Sequence, residues 1–581
     1  MKTIFTDKVD KALPLPEHPR PQLARDCWQN LNGLYDYKIC GKHDNFPDDF
    51  DGQILVPFAI ESMLSGVQKP ISPSDRLWYR KFFTLNEELK DKNIILNFGA
   101  VDWQCKVYIN KTLAGTHTGG YCNFSFDISQ YLTDGENEIM VCVYDPTESG
   151  WQQRGKQDGK PHGFWYTATS GIWQTVWLEG VNSVYIKDVK LCPDIDNDLI
   201  SIKTVLSGES ASIIKAKIFD GDNIIFNNEI GLNFDIKLAD YELWSPENPK
   251  LYNLILDVIC ENKVVDTVKS YFGMRKFNTA KDKNGIMRLF LNNEPYFQRG
   301  LLDQGYWCDG GMTPPTDEAM IFDISEMKRL GFNMLRKHIK IEPMRWYYHC
   351  DRLGMIVWQD MMSGGKYIGD FYAGVLPNIG IKRIKDDKYD KFSRSEKKWR
   401  DDYYRELSEM IEQLYSCVSI YCWVPFNEAW GQFDALKVCK YIRGLDSSRV
   451  IDHASGWYDQ GGGDLKSIHK YILPVRMPKL DDRAFVVSEF GGYSRIVSDH
   501  TWNEKKAFGY LMFKTKEDLT KAYKKLIERQ IIPIIDKGLC ATVYTQVSDV
   551  ENEVNGIYTY DRSHLKIDEK TLIDLNRQMK Y

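Results

Sequence analysis

The chain has 581 residues, of which 43% are hydrophobic and 27% charged, and its formal net charge is −6. This length is too great for a single hydrophobic core and predicts three or four domains. The composition is that of an ordinary globular protein and excludes a disordered or collagen-like chain, while the negative net charge argues against a surface that binds nucleic acid.

The N-terminus and the cysteines bear on where the protein works. Met1 to Lys8 contain no apolar stretch long enough for a signal peptide, and no window resembles a membrane span. Thirteen cysteines are scattered without a Cys-x-x-Cys pair, and Cys142 is one of several inside apolar strands. Such cysteines are typical of reduced, buried side chains in a reducing compartment. We expect a cytoplasmic chain, or one whose leader has been removed, with no membrane partner and no disulfide framework.

The first half of the chain is predicted to be all β. Residues 1–180 contain short alternating strands, for example at 94–98 and 138–143, separated by Gly, Asp and Asn turns, which predicts a β-sandwich. Residues 181–277 continue with strands and hairpin turns such as Asp220-Gly-Asp222. Their length of about 100 residues suits an immunoglobulin-like sandwich, in which no chemistry is expected.

The pattern changes over residues 278–581, where strands and helices alternate. Residues 317–331 have acids in the first turn, a glycine after the end and apolar residues at helical spacing. Those apolar residues are Met320, Ile324, Met327 and Leu330. Strands are predicted at 333–336 and 356–360, with a helical segment between them. Alternation over about 300 residues predicts a (β/α)8 barrel.

A stretch of mixed charge lies between about residues 380 and 402. We interpret it as a solvated excursion that leads into a helix around residues 404–414. The alternative interpretation is a lid over the mouth of the barrel.

Two glutamates each follow a short apolar run of the predicted barrel. Residues 418–426 are rich in β-branched and aromatic side chains and precede Asn427-Glu428, and residues 485–487 lead to Ser488-Glu489. Parallel barrels gather catalytic groups at the C-terminal ends of their strands, and a carboxylate there is costly to bury without a task or a partner. Either glutamate alone is more simply a salt-bridged loop acid. The pair favours retaining glycoside hydrolysis, which needs two carboxyl groups about 5 Å apart.

Asn427-Glu428 and Ser488-Glu489-Phe490-Gly491 resemble the acid/base and nucleophile motifs of glycoside hydrolase family 2, the group of β-galactosidases, β-glucuronidases and β-mannosidases. Arg20-Pro-Gln22 and Leu77-Trp-Tyr-Arg80 resemble its jelly-roll sugar-binding domain, and Leu243-Trp-Ser-Pro-Glu-Asn-Pro249 its immunoglobulin-like domain. The resemblance implies a multidomain fold. Its parts are a jelly-roll β-sandwich over residues 1–180, an immunoglobulin-like β-sandwich over 181–277 and a catalytic (β/α)8 TIM barrel over 278–581.

The resemblance also implies roles for individual side chains. Glu428 would be the acid/base and Glu489 the nucleophile. Asn427 resembles the residue that hydrogen-bonds the sugar 2-hydroxyl, with a turn-forming role as the alternative. Arg336 matches the family arginine whose charge keeps the nucleophile ionised. The sequence runs Arg336-Lys-His338 and departs from the family's Arg-x-x-His pattern, so His338 is either a sugar contact or a strand-end histidine.

Further candidates for substrate contact lie near other predicted strand ends. Tyr471, in Ile468-His-Lys-Tyr471, resembles the tyrosine that donates a hydrogen bond to the nucleophile, with packing as the alternative. A carboxylate at the end of a barrel strand would accept paired hydrogen bonds from two neighbouring hydroxyl groups of a sugar. The remaining candidates are Asp303, Gln304, Asp360 and Trp457. Near the expected eighth strand, Tyr544 or Gln546 stands where better-known family members have a tryptophan floor.

The leading functional hypothesis is exo-hydrolysis of a terminal β-galactoside, with a small molecule or oligosaccharide as substrate and no cofactor or metal ion. A furanoside such as β-galactofuranose or α-L-arabinofuranose is an alternative, because a non-standard pocket floor would admit a five-membered ring. A β-glucuronide is disfavoured, because Asn503-Glu-Lys505 comes too early in the chain for the family's carboxylate-binding Asn-x-Lys pair. A transglycosylase shares the same intermediate, and a non-catalytic carbohydrate-binding protein is the alternative of another class. Homo-oligomerisation is left open.

Overall fold

The computed structural model describes residues 1–41, 45–208, 213–366, 369, 376 and 384–581. Residues 380–383 of the predicted charged excursion lie outside the described residues. Its described part contains a 3-10 turn at Tyr389–Phe392, and the helix expected around residues 404–414 belongs to the longer helix Lys397–Leu414. The lid interpretation stays a prediction.

Two antiparallel sheets enclose one core in the N-terminal part of the chain. The four-stranded sheet contains, in spatial order, Trp28–Asn30, Val176–Val181, Asn93–Phe98 and Phe124–Asp127. The six-stranded sheet contains Gly52–Val56, Gly33–Gly41, Asp75–Thr84, Glu136–Tyr144, Gln104–Ile109 and Thr112–Thr118. Inward-facing residues of both sheets, among them Leu96, Val107 and Val141, pack together. These residues alternate with outward-facing ones along each strand, so each sheet has one apolar face. The two apolar faces pack against each other and form the sandwich.

The second sandwich has a separate core. Its three-stranded sheet contains Ile186–Asp194, Leu199–Leu206 and Asn233–Lys237. Its four-stranded sheet contains Asn223–Ile230, Ile213–Asp220, Tyr252–Cys260 and Lys263–Phe272. A small sheet of Phe277–Lys281, Met287–Leu291 and Glu294–Pro295 follows. Leu289 and Leu291 of this sheet pack in one cluster with the barrel residues Val486 and Val543.

Eight parallel strands form the third part of the molecule. In chain and spatial order they are Gln298–Asp303, Met334–Lys337, Ile356–Asp360, Ile420–Val424, Val450–Ile451, Leu465–Lys470, Ala484–Gly491 and Leu539–Thr545. The first strand pairs with the eighth. The fifth and sixth strands are joined at Asp464, whose backbone N–H donates to the carbonyl of Ile451 over 2.9 Å. The sheet is thus a nearly closed barrel.

Helices surround the barrel. They span Asp317–Arg329, Met344–Leu353, Lys397–Leu414, Ala435–Leu445, Lys516–Leu526, Ile532–Ile535 and Glu569–Gln578. The first begins where predicted because the Thr316 side chain accepts a hydrogen bond from the backbone N–H of Ala319. Its predicted apolar face is buried, and the predicted combination of two β-sandwiches and a (β/α)8 barrel is confirmed. Among the described residues, no helix has the length and apolarity that crossing a bilayer requires.

Candidate active site

Glu428 and Glu489 lie at the C-terminal ends of the fourth and seventh barrel strands. Glu428 has a left-handed backbone with φ of 48°, which costs a non-glycine residue about 1 kcal/mol. Its backbone N–H donates to the carbonyl of Ser455 over 2.9 Å, which holds this turn. Glu489 is 3% exposed. One carboxylate oxygen of Glu428 lies within 4.8 Å of one carboxylate oxygen of Glu489. This separation suits covalent double displacement.

Two side chains of the sixth strand region contact both carboxylates. The Tyr471 hydroxyl donates to Oε2 of Glu489 and lies 3.3 Å from Oε1 of Glu428. Nδ1 of His469 lies 2.7 Å from Oε1 of Glu428 and 3.7 Å from Oε1 of Glu489. The Tyr471 ring stacks on Tyr510 with centroids 4.1 Å apart. The Tyr471 hydroxyl therefore lies between the two acids.

Arg336 connects the nucleophile to the second and third strands. Its guanidinium is fully buried and donates to Oε1 of Glu489 over 3.0 Å and to Oδ1 of Asn427 over 2.8 Å. Burial alone would raise the pKa of Glu489, but its electrostatic interactions with His469 and Arg336 outweigh burial and hold that pKa below its ordinary value. Glu489 is therefore ionised at neutral pH, which is the state that nucleophilic attack by a carboxylate would require.

Asn427 and His338 line the cavity above the two acids. The Asn427 carbonyl is occupied by Arg336, which leaves its NH2 group for a ligand. Burial and nearby positive charge lower the pKa of His338 well below its ordinary value. The neutral ring donates from Nδ1 to Oδ2 of Asp360 over 2.8 Å. Its buried Nε2 has no hydrogen-bond partner among the residues that the structure describes, so it offers a lone pair to a sugar hydroxyl.

Three predicted contacts at strand ends point into the protein instead of the cavity. Asp360 is fully buried, and both its oxygens accept from Arg336, over 2.9 and 3.0 Å. The oxygens of Asp303 accept from Nζ of Lys337 over 2.7 Å and from the backbone N–H of Gly305 over 2.9 Å. Gln304 is also buried. None of these three side chains lines the cavity, so their expected contacts with sugar hydroxyls are corrected. Asp303 and Asp360 form buried ion pairs, and Gln304 is buried.

The expected pocket floor is also corrected. Tyr544 packs edge-on against Phe490 and Tyr523, and Gln546 donates from Nε2 to Oδ1 of Asn555 over 2.8 Å. Neither side chain lines the cavity, whereas Thr545 between them does. Trp457 packs near His469 with ring centroids 5.5 Å apart and does not line the cavity.

Sequence reasoning missed one wall of the cavity, which comes from the N-terminal sandwich. Lys156, Phe164 and Trp165 line it. They flank a short parallel pair of strands, Gln157–Asp158 and Tyr166–Thr167. No local pattern in the sequence could have joined this segment to a barrel whose first strand begins at Gln298.

His469 and Glu553 were missed as well. Glu553 follows the eighth strand and lines the cavity; it accepts hydrogen bonds from the Tyr166 hydroxyl and from Nδ2 of Asn555. The sequence did contain a signal for His469. Side chains two positions apart in a strand face the same side, so a catalytic Tyr471 predicts that His469 also faces the barrel mouth.

Within the described ranges, the residues grouped closely enough to hold a metal ion are Glu428, His469 and Glu489. Their facing atoms are already joined by the hydrogen bonds of His469 and Tyr471. This donor set fits a pair of acids with shared hydrogen-bond partners.

Comparisons with known proteins agree with this geometry. Residues 57–180 match the model of the glycosyl hydrolases family 2 sugar-binding domain, residues 184–275 that of the family 2 domain that follows it, and residues 309–495 that of the family's TIM barrel domain. The chain is 27% identical over 387 residues to a β-galactosidase of Streptococcus thermophilus and 28% identical over 393 residues to one of Thermoanaerobacter pseudethanolicus. Each alignment covers 64% of this chain but only 35% and 47% of those proteins. The chain thus spans less than half the length of these curated relatives.

Solved structures share the fold along nearly the whole chain. A β-glucuronidase of Ruminococcus gnavus superposes with a TM-score of 0.76 at 16% identity, covering 97% of this chain and 99% of that one. A β-D-glucuronidase of Dictyoglomus thermophilum superposes with a TM-score of 0.74 at 17% identity, covering 96% and 98%. The three domain matches, with the barrel and its two facing glutamates, establish that this chain belongs to the glycosyl hydrolases family 2.

Proposed function

We propose that the protein is a retaining glycoside hydrolase that removes a terminal β-linked sugar from a small glycoside or an oligosaccharide. The observation that carries this proposal is the pair Glu428 and Glu489, whose facing oxygens lie within 4.8 Å at the mouth of one barrel. Tyr471 bridges them. A much wider separation, roughly 6.5–9.5 Å, would instead leave room for a water molecule between sugar and carboxylate and would suit inversion.

The reaction would proceed in two displacements. Glu489 attacks the anomeric carbon while the carboxylic acid of Glu428 gives its proton to the glycosidic oxygen, and the aglycone leaves as an alcohol. Water then gives a proton to the Glu428 carboxylate and attacks the same carbon, which releases the sugar and restores Glu489. The NH2 group of Asn427 would donate to the sugar 2-hydroxyl as positive charge develops on the ring.

A galactoside is the first substrate to examine. This choice is supported by the two curated relatives named above, which are β-galactosidases. Exo action is supported by the wall of Lys156, Phe164 and Trp165 on the barrel mouth, which leaves room for the end of a glycan rather than its middle. A cytoplasmic location is also a proposal, and its support is the scattered cysteine usage of the sequence.

Hydrolysis of a panel of nitrophenyl glycosides tests the reaction and the sugar together. We expect turnover of the β-D-galactopyranoside with retention of configuration, and none by the variant Glu489→Gln, whose loss should be at least about 10⁴-fold in kcat. A 2-deoxy-2-fluoro glycosyl fluoride should label the wild-type peptide that contains Glu489. Inversion of configuration, or a label on another residue, would contradict the assignment.

One observation favours a second substrate, a β-glucuronide. Lys156 lines the cavity and makes no ion pair with any residue in the described part of the chain. Its charge contributes to the lowered pKa values of both Glu489 and His338, which puts the ammonium group near the sugar site. Lys505, which the sequence analysis compared with the family's carboxylate-binding lysine, is exposed and does not line the cavity. Lys156 would hold a carboxylate on the sugar.

A further inference from the structure

His469 is a buried side chain to which neither the family resemblance nor the reaction above gives a role. It lies near the end of the sixth barrel strand, is 1% exposed, and its Nδ1 atom lies 2.7 Å from Oε1 of Glu428. We propose that His469 is a positioning residue that holds the acid/base Glu428 so that only one of its oxygens, Oε2, faces the glycosidic bond. This inference rests on the proposed function.

The hydrogen-bond chain behind the imidazole fixes which ring nitrogen carries hydrogen. The Ser455 hydroxyl donates to Oγ of Ser488 over 2.9 Å, so its lone pair faces Nε2 of His469, 3.0 Å away. Nε2 must therefore be the donor of that bond. On the other side of the ring, two acceptor atoms 2.7 Å apart would repel each other, so one hydrogen lies between Nδ1 and Oε1 of Glu428 in either ionisation state of the pair.

The surroundings hold the ring in this orientation. Gly456 has φ of +86°, and a Cβ atom there would lie 2.4 Å from Cγ of His469. Only glycine leaves space for the imidazole. Ser455, the acceptor of Nε2–H, also accepts the backbone N–H of Glu428 through its carbonyl over 2.9 Å. One residue thus positions both the backbone of the acid/base and the side chain that orients its carboxyl group.

This arrangement affects one part of the reaction more than the other. With Nδ1–H as the donor to Oε1, both ring nitrogens of His469 carry hydrogen, and the separate proton of the Glu428 carboxylic acid lies on Oε2, from which the leaving oxygen receives it. The same hydrogen bond then stabilises the carboxylate left behind. Attack by Glu489 on the sugar carbon does not use this hydrogen bond, and at a pH above the acid limb of the rate profile Glu489 is ionised with or without His469. Loss of His469 should therefore slow substrates whose leaving group needs a proton and should scarcely affect substrates whose leaving group departs as a stable anion.

The test compares two aryl β-D-galactosides that differ in the leaving group. For His469→Ala, kcat/KM for the phenyl glycoside should fall about 100-fold, and kcat/KM for the 2,4-dinitrophenyl glycoside less than about 5-fold. His469→Asn, whose amide N–H can reach the position of Nδ1–H, should recover much of the phenyl glycoside activity. His117→Ala is the matched control, because His117 is a histidine of the N-terminal sandwich stacked on Phe124.

Ser455→Ala provides a second variant that keeps every large side chain, and it should show a weaker loss with the same dependence on the leaving group. Equal losses for both glycosides in the His469 and Ser455 variants would mean a merely structural role and would overturn the inference while leaving the proposed function intact. A wild-type protein that hydrolyses no glycoside would overturn the proposed function, and this inference with it.

Discussion

The nucleophile shows how a single residue depends on its immediate neighbours. Glu489 is buried, and burial disfavours a charged carboxylate. It remains ionised because electrostatic interactions with His469 and Arg336, and the hydrogen bond that the Tyr471 hydroxyl donates, favour the charged carboxylate. Arg336 is itself balanced by Asp360. A change in any of these partners should therefore appear in the pH dependence of catalysis before it appears in the fold.

Tyr471→Phe is the mildest such change, because the ring that stacks on Tyr510 is kept. The folded pKa of Glu489 is depressed, so activity is present above that pKa and is lost as the pH falls through it. Removing the hydroxyl donor raises this pKa, and the acid limb of the kcat/KM profile should move to higher pH by about one unit.

The matched control for this prediction is Tyr523→Phe. Tyr523 is buried, and its hydroxyl has no hydrogen-bond partner among the residues with described positions. Its profile should coincide with that of the wild type. An acid limb that stays in place in Tyr471→Phe would show that the tyrosine does not stabilise the ionised nucleophile.

The residues that the sequence revealed and those it hid differ in one physical respect. Glu428 and Glu489 were found because two acids each follow an apolar strand, a combination that a salt-bridged loop acid explains less simply than it explains either acid alone. Asp303 and Asp360 were assigned to the sugar on the same grounds, yet each is neutralised by a cation on a neighbouring strand. Whether a strand-end acid faces a cavity or a partner depends on pairing between strands, which no single segment contains.

Among the elements, the segment of residues 150–167 has the largest effect on the site. It belongs to the N-terminal sandwich, yet its backbone pairs with the barrel, for Arg154 N–H donates to the carbonyl of Ser363 over 3.0 Å. Tyr166 on the same segment donates to Glu553. The domain labelled sugar-binding in this family therefore supplies a wall of the catalytic cavity here.

Lys156→Gln measures what this segment contributes to specificity. If the cavity binds a uronic acid, kcat/KM for nitrophenyl β-D-glucuronide should fall about 100-fold, because a paired, partly desolvated charge contributes about 3 kcal/mol. The galactopyranoside should change less than about threefold, since Lys156 has no carboxylate to bind there. Lys160→Gln, an exposed lysine four residues further on, is the control. Equal losses for both sugars would exclude a carboxylate-binding role.

Strands and helices with strong patterns were predictable, and the connections between them were not. The helix Asp317–Arg329 and the strand Ile356–Asp360 follow from apolar periodicity and from caps that lie within the segment. The site also uses the loop at Gly456 and the segment around Lys156, whose conformations depend on contacts with remote residues. Local sequence patterns were therefore enough to predict the barrel and its two acids, whereas the rest of the cavity depends on tertiary contacts that no single segment contains.

At the scale of the whole molecule, a buried ion network joins the two sandwiches. Glu179, on the strand Val176–Val181 of the first sandwich, accepts from Arg25 over 2.8 Å and from Arg20 over 2.7 Å. Arg25 also donates to Asp266 of the second sandwich over 2.9 Å. This junction therefore attaches the first sandwich, which carries one wall of the catalytic cavity, to the second.

The junction should make stability depend on acidity in a defined window. Burial would raise the pKa of Glu179, but Arg20 and Arg25 overcome it and lower that pKa from 4.5 to about 2. Its stabilisation, roughly 3 kcal/mol, is fully present above pH 4.5 and is lost as the pH falls toward 2. The thermal unfolding midpoint of Glu179→Gln should lie well below that of the wild type at pH 7, and the gap should close between pH 4.5 and 2. The exposed Glu136→Gln variant should show no gap at any pH. A difference for Glu179→Gln that stays constant across that range would mean that lost packing, and not the ionised carboxylate, accounts for the effect.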